Sequence, residues 1–135
     1  MRLQKFLFPL FLTLSCALPH AANATSAMEC WGVDSDSNVR ILFGAGSVLN
    51  INSASFEFND SKVSTIQNQE TQLGVVAQFH SNLHQLRIEL LDDQADKTLV
   101  SMHVVRSEKQ DGDIFQIGFL RIGQNDPVGI RCDGP

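Results

Sequence analysis

Basic residues are scarce: 10 Lys and Arg face 15 Asp and Glu across 135 residues, a formal charge of −5. Nucleic-acid binding needs a Lys/Arg stripe, so this balance argues against such a partner. Beyond the N-terminus no uncharged apolar run reaches the roughly 18 residues of a membrane helix. Charged residues are few as well, 19% against 43% hydrophobic, too apolar a mixture for a disordered chain. There is no Gly-Xaa-Ser-Xaa-Gly elbow, no glycine-rich phosphate loop and no Cys-Xaa-Xaa-Cys pair. No catalytic set and no cofactor is therefore implied. The length allows one domain.

What is present begins with an address. Arg2 and Lys5 precede an apolar stretch over residues 6–18, and Ala22-Asn23-Ala24 supplies small residues at −3 and −1. This pattern predicts a secretory signal peptide over residues 1–24 and a single β domain over 25–135. Cys16 follows Thr13-Leu14-Ser15, with Leu where a lipoprotein signal needs a small residue, so cleavage after Ala24 is expected rather than lipidation. Cleavage takes the charge to −7 and leaves two cysteines, Cys30 and Cys132. In a periplasmic or extracellular setting such a pair reads as a disulfide. Closing a loop of about 100 residues stabilises by about 4–5 kcal/mol in the chain-entropy model. The bridge requires the first and last elements to be neighbours, with Cα atoms roughly 5–6 Å apart.

Between the cysteines, period-two alternation recurs after each turn signal. The apolar sets are Val39, Ile41, Phe43; Leu73, Val75, Ala77, Phe79; Leu86, Ile88, Leu90; Val100, Met102, Val104; Phe115, Ile117, Phe119; and Val128, Ile130, Cys132. Leu49 and Ile51 hold one parity while Ala54, Phe56 and Phe58 hold the other, which predicts a β-bulge or strand break near Asn52-Ser53. A helix over 82–95 competes, with Asn82 as its cap and Leu83, Leu86, Leu90 and Leu91 at helical spacing. Ile88 and the Asp-rich stretch after Leu91 favour a strand and a hairpin loop instead. The expected fold is all-β: a small antiparallel sandwich or closed barrel of eight or nine short strands, first and last joined by the disulfide. Inward positions dense in Phe, Ile and Leu predict an interior filled by side chains, not a ligand cavity.

Several residues invite a chemical reading. Asp34-Ser35-Asp36-Ser37-Asn38 begins like a calcium loop, but Val39 replaces the glycine and Ala45 the bidentate glutamate, so a polar turn is expected. Asp92, Asp93 and Asp96 suit a solvated turn as well as an ion. His80, His84 and His103 are the candidate metal ligands, for a metal-binding protein or enzyme, if a turn and an adjacent strand bring them together. Trp31 reads as a core aromatic beside the bridge, and alternatively as an exposed anchor for a partner. Leu42, Leu99, Val105 and Leu120 fall on the outward parity of their strands. If adjacent they form a contact surface for an unknown protein or envelope component.

Glu29-Cys30-Trp31, Gly118-Phe119-Leu120-Arg121-Ile122 and Val128-Gly129-Ile130-Arg131-Cys132 together resemble small periplasmic β-proteins of proteobacteria that carry a terminal cysteine pair and no assigned activity. The general plan is also similar to the periplasmic lysozyme inhibitors, small disulfide-bearing β-barrels, and that likeness implies a basic cell-wall hydrolase as partner. Those inhibitors use a Ser-Gly-Xaa-Xaa-Tyr loop. This chain has no tyrosine and no Ser-Gly pair. The leading expectation is a non-catalytic, exported binding domain. Inhibition of a basic hydrolase is second, and metal chemistry at the histidines third.

Overall fold

The computed structural model describes residues 26–44, 50–109 and 111–134. The expected leader over 1–24, with Cys16, and the Leu49 position lie outside the described residues. The strands are β1 (Ser26–Gly32), β2 (Ser37–Gly44), β3 (Asn50–Phe58), β4 (Ser61–Ser64), β5 (Gln72–Leu73), β6 (Val75–Ser81), β7 (Gln85–Leu91), β8 (Thr98–Glu108), β9 (Ile114–Ile122) and β10 (Val128–Asp133). They form one sheet in the order β5-β4-β3-β2-β1-β10-β9-β8-β7-β6. Only Gly74 separates β5 from β6, so the sheet's two ends belong to one continuous segment and the sheet is a nearly closed barrel. Among the described residues no helix is long and apolar enough to cross a membrane.

The topology follows from counting. Taken as one, β5 and β6 leave nine positions around the wall, and an odd ring of alternating strands cannot close without one parallel pair. That pair is β4–β5, with Val63 opposite Gln72 and Ser64 opposite Leu73, while every other junction is antiparallel. Residues 65–71 carry the chain back between them, and Gly74 N donates to Ser64 O at 2.8 Å.

At the middle of the strand order, β1 and β10 pair with Cys30 directly opposite Cys132. Their sulfurs are bonded and their Cα atoms lie 4.0 Å apart. This is closer than the expected 5–6 Å because the bridge spans a directly opposed pair, whose Cα spacing is about 4.5 Å where no ladder hydrogen bonds intervene. Inward residues alternate along most of the wall: Met28 and Cys30; Val39, Ile41 and Phe43; Leu86, Ile88 and Leu90; Val100, Met102 and Val104; Ile130 and Cys132 are all buried. The 82–95 competition resolves as strand over Gln85–Leu91, and Asp92 shapes the next hairpin by accepting the backbone N–H of Asp96 at 2.7 Å and of Lys97 at 3.2 Å.

Bulges decide which residues break the alternation. Leu42 pairs with Ser53 and Phe43 with Ile51, so Asn52 is the extra residue, where the parity change predicts it. A second bulge was not foreseen: Leu90 pairs with Val100 and Leu91 with Thr98, leaving Leu99 unopposed. A third sits at Ala77, skipped between the Val76–Leu90 and Gln78–Glu89 pairs, and it leaves Val75 and Ala77 exposed rather than inward.

Strand β9 runs in the opposite phase to the expected one. Gln116, Leu120 and Ile122 point inward and are buried, whereas Ile117 and Phe119 are each 45% exposed. Gly118 supplies the reason. A Cβ there would lie 2.0 Å from His103 O and 2.7 Å from Val104 Cα, so the inward slot admits no side chain. Shifting the strand by one residue would drive Ile117 or Phe119 into that slot.

A polar latch spans the barrel end next to the β8–β9 turn. Arg106 Nε donates to Gln116 Oε1 at 3.0 Å, and its Nη1 donates to Ser81 Oγ at 3.2 Å and Asn82 O at 2.8 Å. Gln116 Nε2 in turn donates to Gly134 O. Burial lowers the Arg106 pKa from its ordinary value, and oxygen partners on several elements compensate that desolvation.

Candidate functional site

The four residues expected to share an outer surface do not. Leu120 is fully buried and Leu99 is 7% exposed, so both belong to the core. Leu120 is inside because β9 takes the Gly118-dictated phase, and Leu99 because the bulge puts it on the same side as Val100. Leu42 is half-buried on β2 and Val105 is exposed on β8. Four strand spacings, about 19 Å around the wall, separate these two.

The same phase reversal creates a different surface. Phe115, Ile117 and Phe119 project outward along β9. Ile117 lies opposite Val105 of β8 on one side and Arg131 of β10 on the other. Beyond Arg131 in the same row comes Trp31 of β1. Trp31 is 41% exposed, not a core aromatic: Cys30 faces inward, so its neighbour faces out. One row along, Phe119 lies opposite His103 and Gly129, and Val33 N donates to Gly129 O at 3.0 Å. Val105, Ser107, Phe115, Ile117, Gly118 and Phe119 line an apolar groove of about 570 Å³. Contiguous exposed apolar patches on a monomer commonly mark contact sites.

The ring geometry around the groove is specific. His103 packs edge-on against Phe119, with centroids 5.6 Å apart at 89°, and its Nε2 lies 3.2 Å from Gln85 Oε1. The Arg131 guanidinium lies 5.6 Å from the Phe115 centroid, and Lys109 Nζ lies 6.0 Å from it.

The histidines do not converge. His80 and His103 both flank Arg87, which occupies the strand position between them, so two strand spacings, about 10 Å, hold them apart. His84 sits in the β6–β7 turn, and His80 Nε2 contacts Asn82 Nδ2 at 3.1 Å. Among the described residues no group of three His, Cys, Asp or Glu is placed to hold a metal.

Charge is distributed unevenly along the barrel axis. Strand directions bring the β1–β2, β3–β4, β7–β8 and β9–β10 turns to one end, together with the approach to β5. That end carries Asp34, Asp36, Asp60, Glu70, Asp92, Asp93, Asp96 and Asp126, with Lys97 the cation in those turns. The apolar groove lies on the side wall, towards the other end. Compared with known proteins, the chain matches no family model, no curated protein and no solved structure.

Proposed function

We propose that the chain is a non-catalytic binding domain, exported to the periplasm or secreted, that acts by seating a partner on its outer wall. The observation that carries this reading is the apolar face of β8 and β9: Val105, Ile117 and Phe119 are half-exposed in one patch, the last two turned outward by the phase of β9. An interior filled by Phe43, Phe56, Met28 and Met102 directs binding to the outside. The signal-peptide pattern over 1–24 and the Cys30–Cys132 bridge support export. A photo-crosslinking residue placed at Phe119 is expected to capture one reproducible envelope partner, and the same residue at Leu42 is expected to capture none. Equal yields at both positions, or no adduct at Phe119, would overturn the proposal.

A second reading has its own observation, the acidic barrel end. Such a rim steers a basic protein toward itself, in keeping with inhibition of a basic cell-wall hydrolase. Lysozyme assays at low and moderate salt test it. Inhibition that fades as salt rises supports this reading, and full hydrolase activity at low salt dismisses it.

A further inference from the structure

We infer that the β8–β9 groove takes an acidic amphipathic polypeptide segment, one whose apolar side chains fill the groove while its carboxylates meet the surrounding cations. This rests on the binding-domain reading and names the partner's chemistry, which is opposite to what the overall acidic charge suggests. The cations are set around the apolar residues in register. Arg131 is the cross-strand partner of Ile117, Arg121 follows Phe119 two residues along the same outward face, and Arg87 lies beyond His103. Lys109 joins Arg131 beside the Phe115 ring.

Among the described residues these cations stand without a carboxylate within 4 Å, in a chain with an excess of carboxylates. The ion pairs formed among the described residues, Arg40–Glu29 at 3.5 Å and Lys62–Glu57 at 3.6 Å, both lie elsewhere on the wall. Acidic groups do share this face: Asp113 and Asp133 border a depression with Lys109 and Arg131 at the margin of the patch, and Glu89 follows Arg87 two residues along β7 in the row of Arg121, but among the described residues none of them is within 4 Å of a cationic nitrogen there. Unpaired arginines around an apolar groove complement carboxylates flanking apolar anchors. Apolar side chains in cross-strand rows flanked by cations suit the anchors of a polypeptide segment. The acidic barrel end would also be repelled by an anionic bilayer.

The test uses the native protein as bait for a displayed random dodecapeptide library, with Ile117→Ser/Phe119→Ser as counter-selection. Both positions are half-exposed, so the variant keeps its fold, which circular dichroism checks. Enriched peptides are expected to combine Leu, Ile, Phe or Trp with a net negative charge. Their binding should blue-shift the emission of Trp31, the single tryptophan, and weaken about tenfold with Arg131→Glu. Enriched peptides that are neutral or basic but still need Ile117 and Phe119 would overturn this inference and leave the binding-domain reading standing. Absence of enrichment at this face would overturn both. Co-sedimentation with phosphatidylglycerol vesicles, lost in the double variant and with no peptide enriched, would assign the face to a membrane and overturn the inference.

Discussion

At the β1–β10 junction four residue pairs lie in antiparallel register and one of them is covalent, whereas at the β4–β5 junction two pairs lie in parallel register. The first junction joins the two ends of the described chain. The second is made by a segment that pairs with β4 for two residues and then departs to pair with β7. Past Ser64 the strand ladder ends, and Phe79 of β6 packs instead against Phe43 of β2, with centroids 6.1 Å apart. Just before β5, Thr71 buries a hydroxyl that has no hydrogen-bond partner among the described residues. One seam therefore relies on a bond and a regular ladder, the other on a few hydrogen bonds and side-chain contacts. A seam of the second kind is expected to open locally well before the first.

The largest effect should come from cutting the covalent seam. Reduction of native protein removes no heavy atom and restores the loop entropy of the unfolded chain, so stability should fall by about 4 kcal/mol. Urea titrations with and without reductant measure it. An unchanged midpoint would mean that the β1–β10 ladder alone holds the ends. Next comes Gly118→Ala on the same side of the barrel. The new methyl would meet the backbone at His103 O and Val104 Cα, atoms that cannot rotate away, and the variant should lose about 3 kcal/mol. The same titration reads it, and a loss under about 1 kcal/mol would undermine the explanation of the β9 phase.

How far these features can be read from the residues depends on whether the cause is local. Alternation over Val39–Ile41–Phe43 and Leu86–Ile88–Leu90 reports its own phase, because Asn38 and Arg40 in the first and Gln85, Arg87 and Glu89 in the second mark the outward positions. The Asn52 bulge is legible for a related reason: apolar residues on both sides of it change parity. Leu99 carries no such mark, since Leu-Val reads equally well as one outward and one inward residue. In β9 the large residues themselves mislead. Phe115, Ile117 and Phe119 look like a core stripe, and what turns them outward is the backbone of β8 pressing on Gly118, a contact between strands that one strand's sequence does not display. The apolar outer face is a product of that contact, and Trp31 joins it only through the register with Arg131. The terminal disulfide, by contrast, needs only two cysteines and an export signal to be expected.

The noncovalent side should respond more weakly, and its responses should stay local. Arg106→Met keeps the stem of the side chain but removes the donors to Gln116, Ser81 and Asn82, leaving the buried Gln116 carbonyl without its Arg106 partner. The expected cost is about 2 kcal/mol. Hydrogen exchange distinguishes this from a general loss: amides of β6 and the β6–β7 turn should speed up while those of β1 and β10 stay protected. Uniform acceleration across all strands would show that the latch supports the whole barrel and not one seam.

Gly74→Ala is the mildest change and the sharpest comparison, since it adds the same methyl group as Gly118→Ala at the opposite seam. Here the new Cβ would lie 3.0 Å from Leu90 Cδ1 and from Val63 Cγ1 and 3.2 Å from Leu90 Cβ, all side-chain atoms and none as close as the 2.0 Å backbone contact at Gly118, so a shift of a few tenths of an ångström relieves them. Restricting the unfolded chain offsets part of the strain by about 0.4–1 kcal/mol. The net change should fall within about 1 kcal/mol of native, with the same urea titration as the measure. A loss equal to that of Gly118→Ala would mean that the β5–β6 junction is as unyielding as the β8–β9 contact, and that the barrel has no soft side.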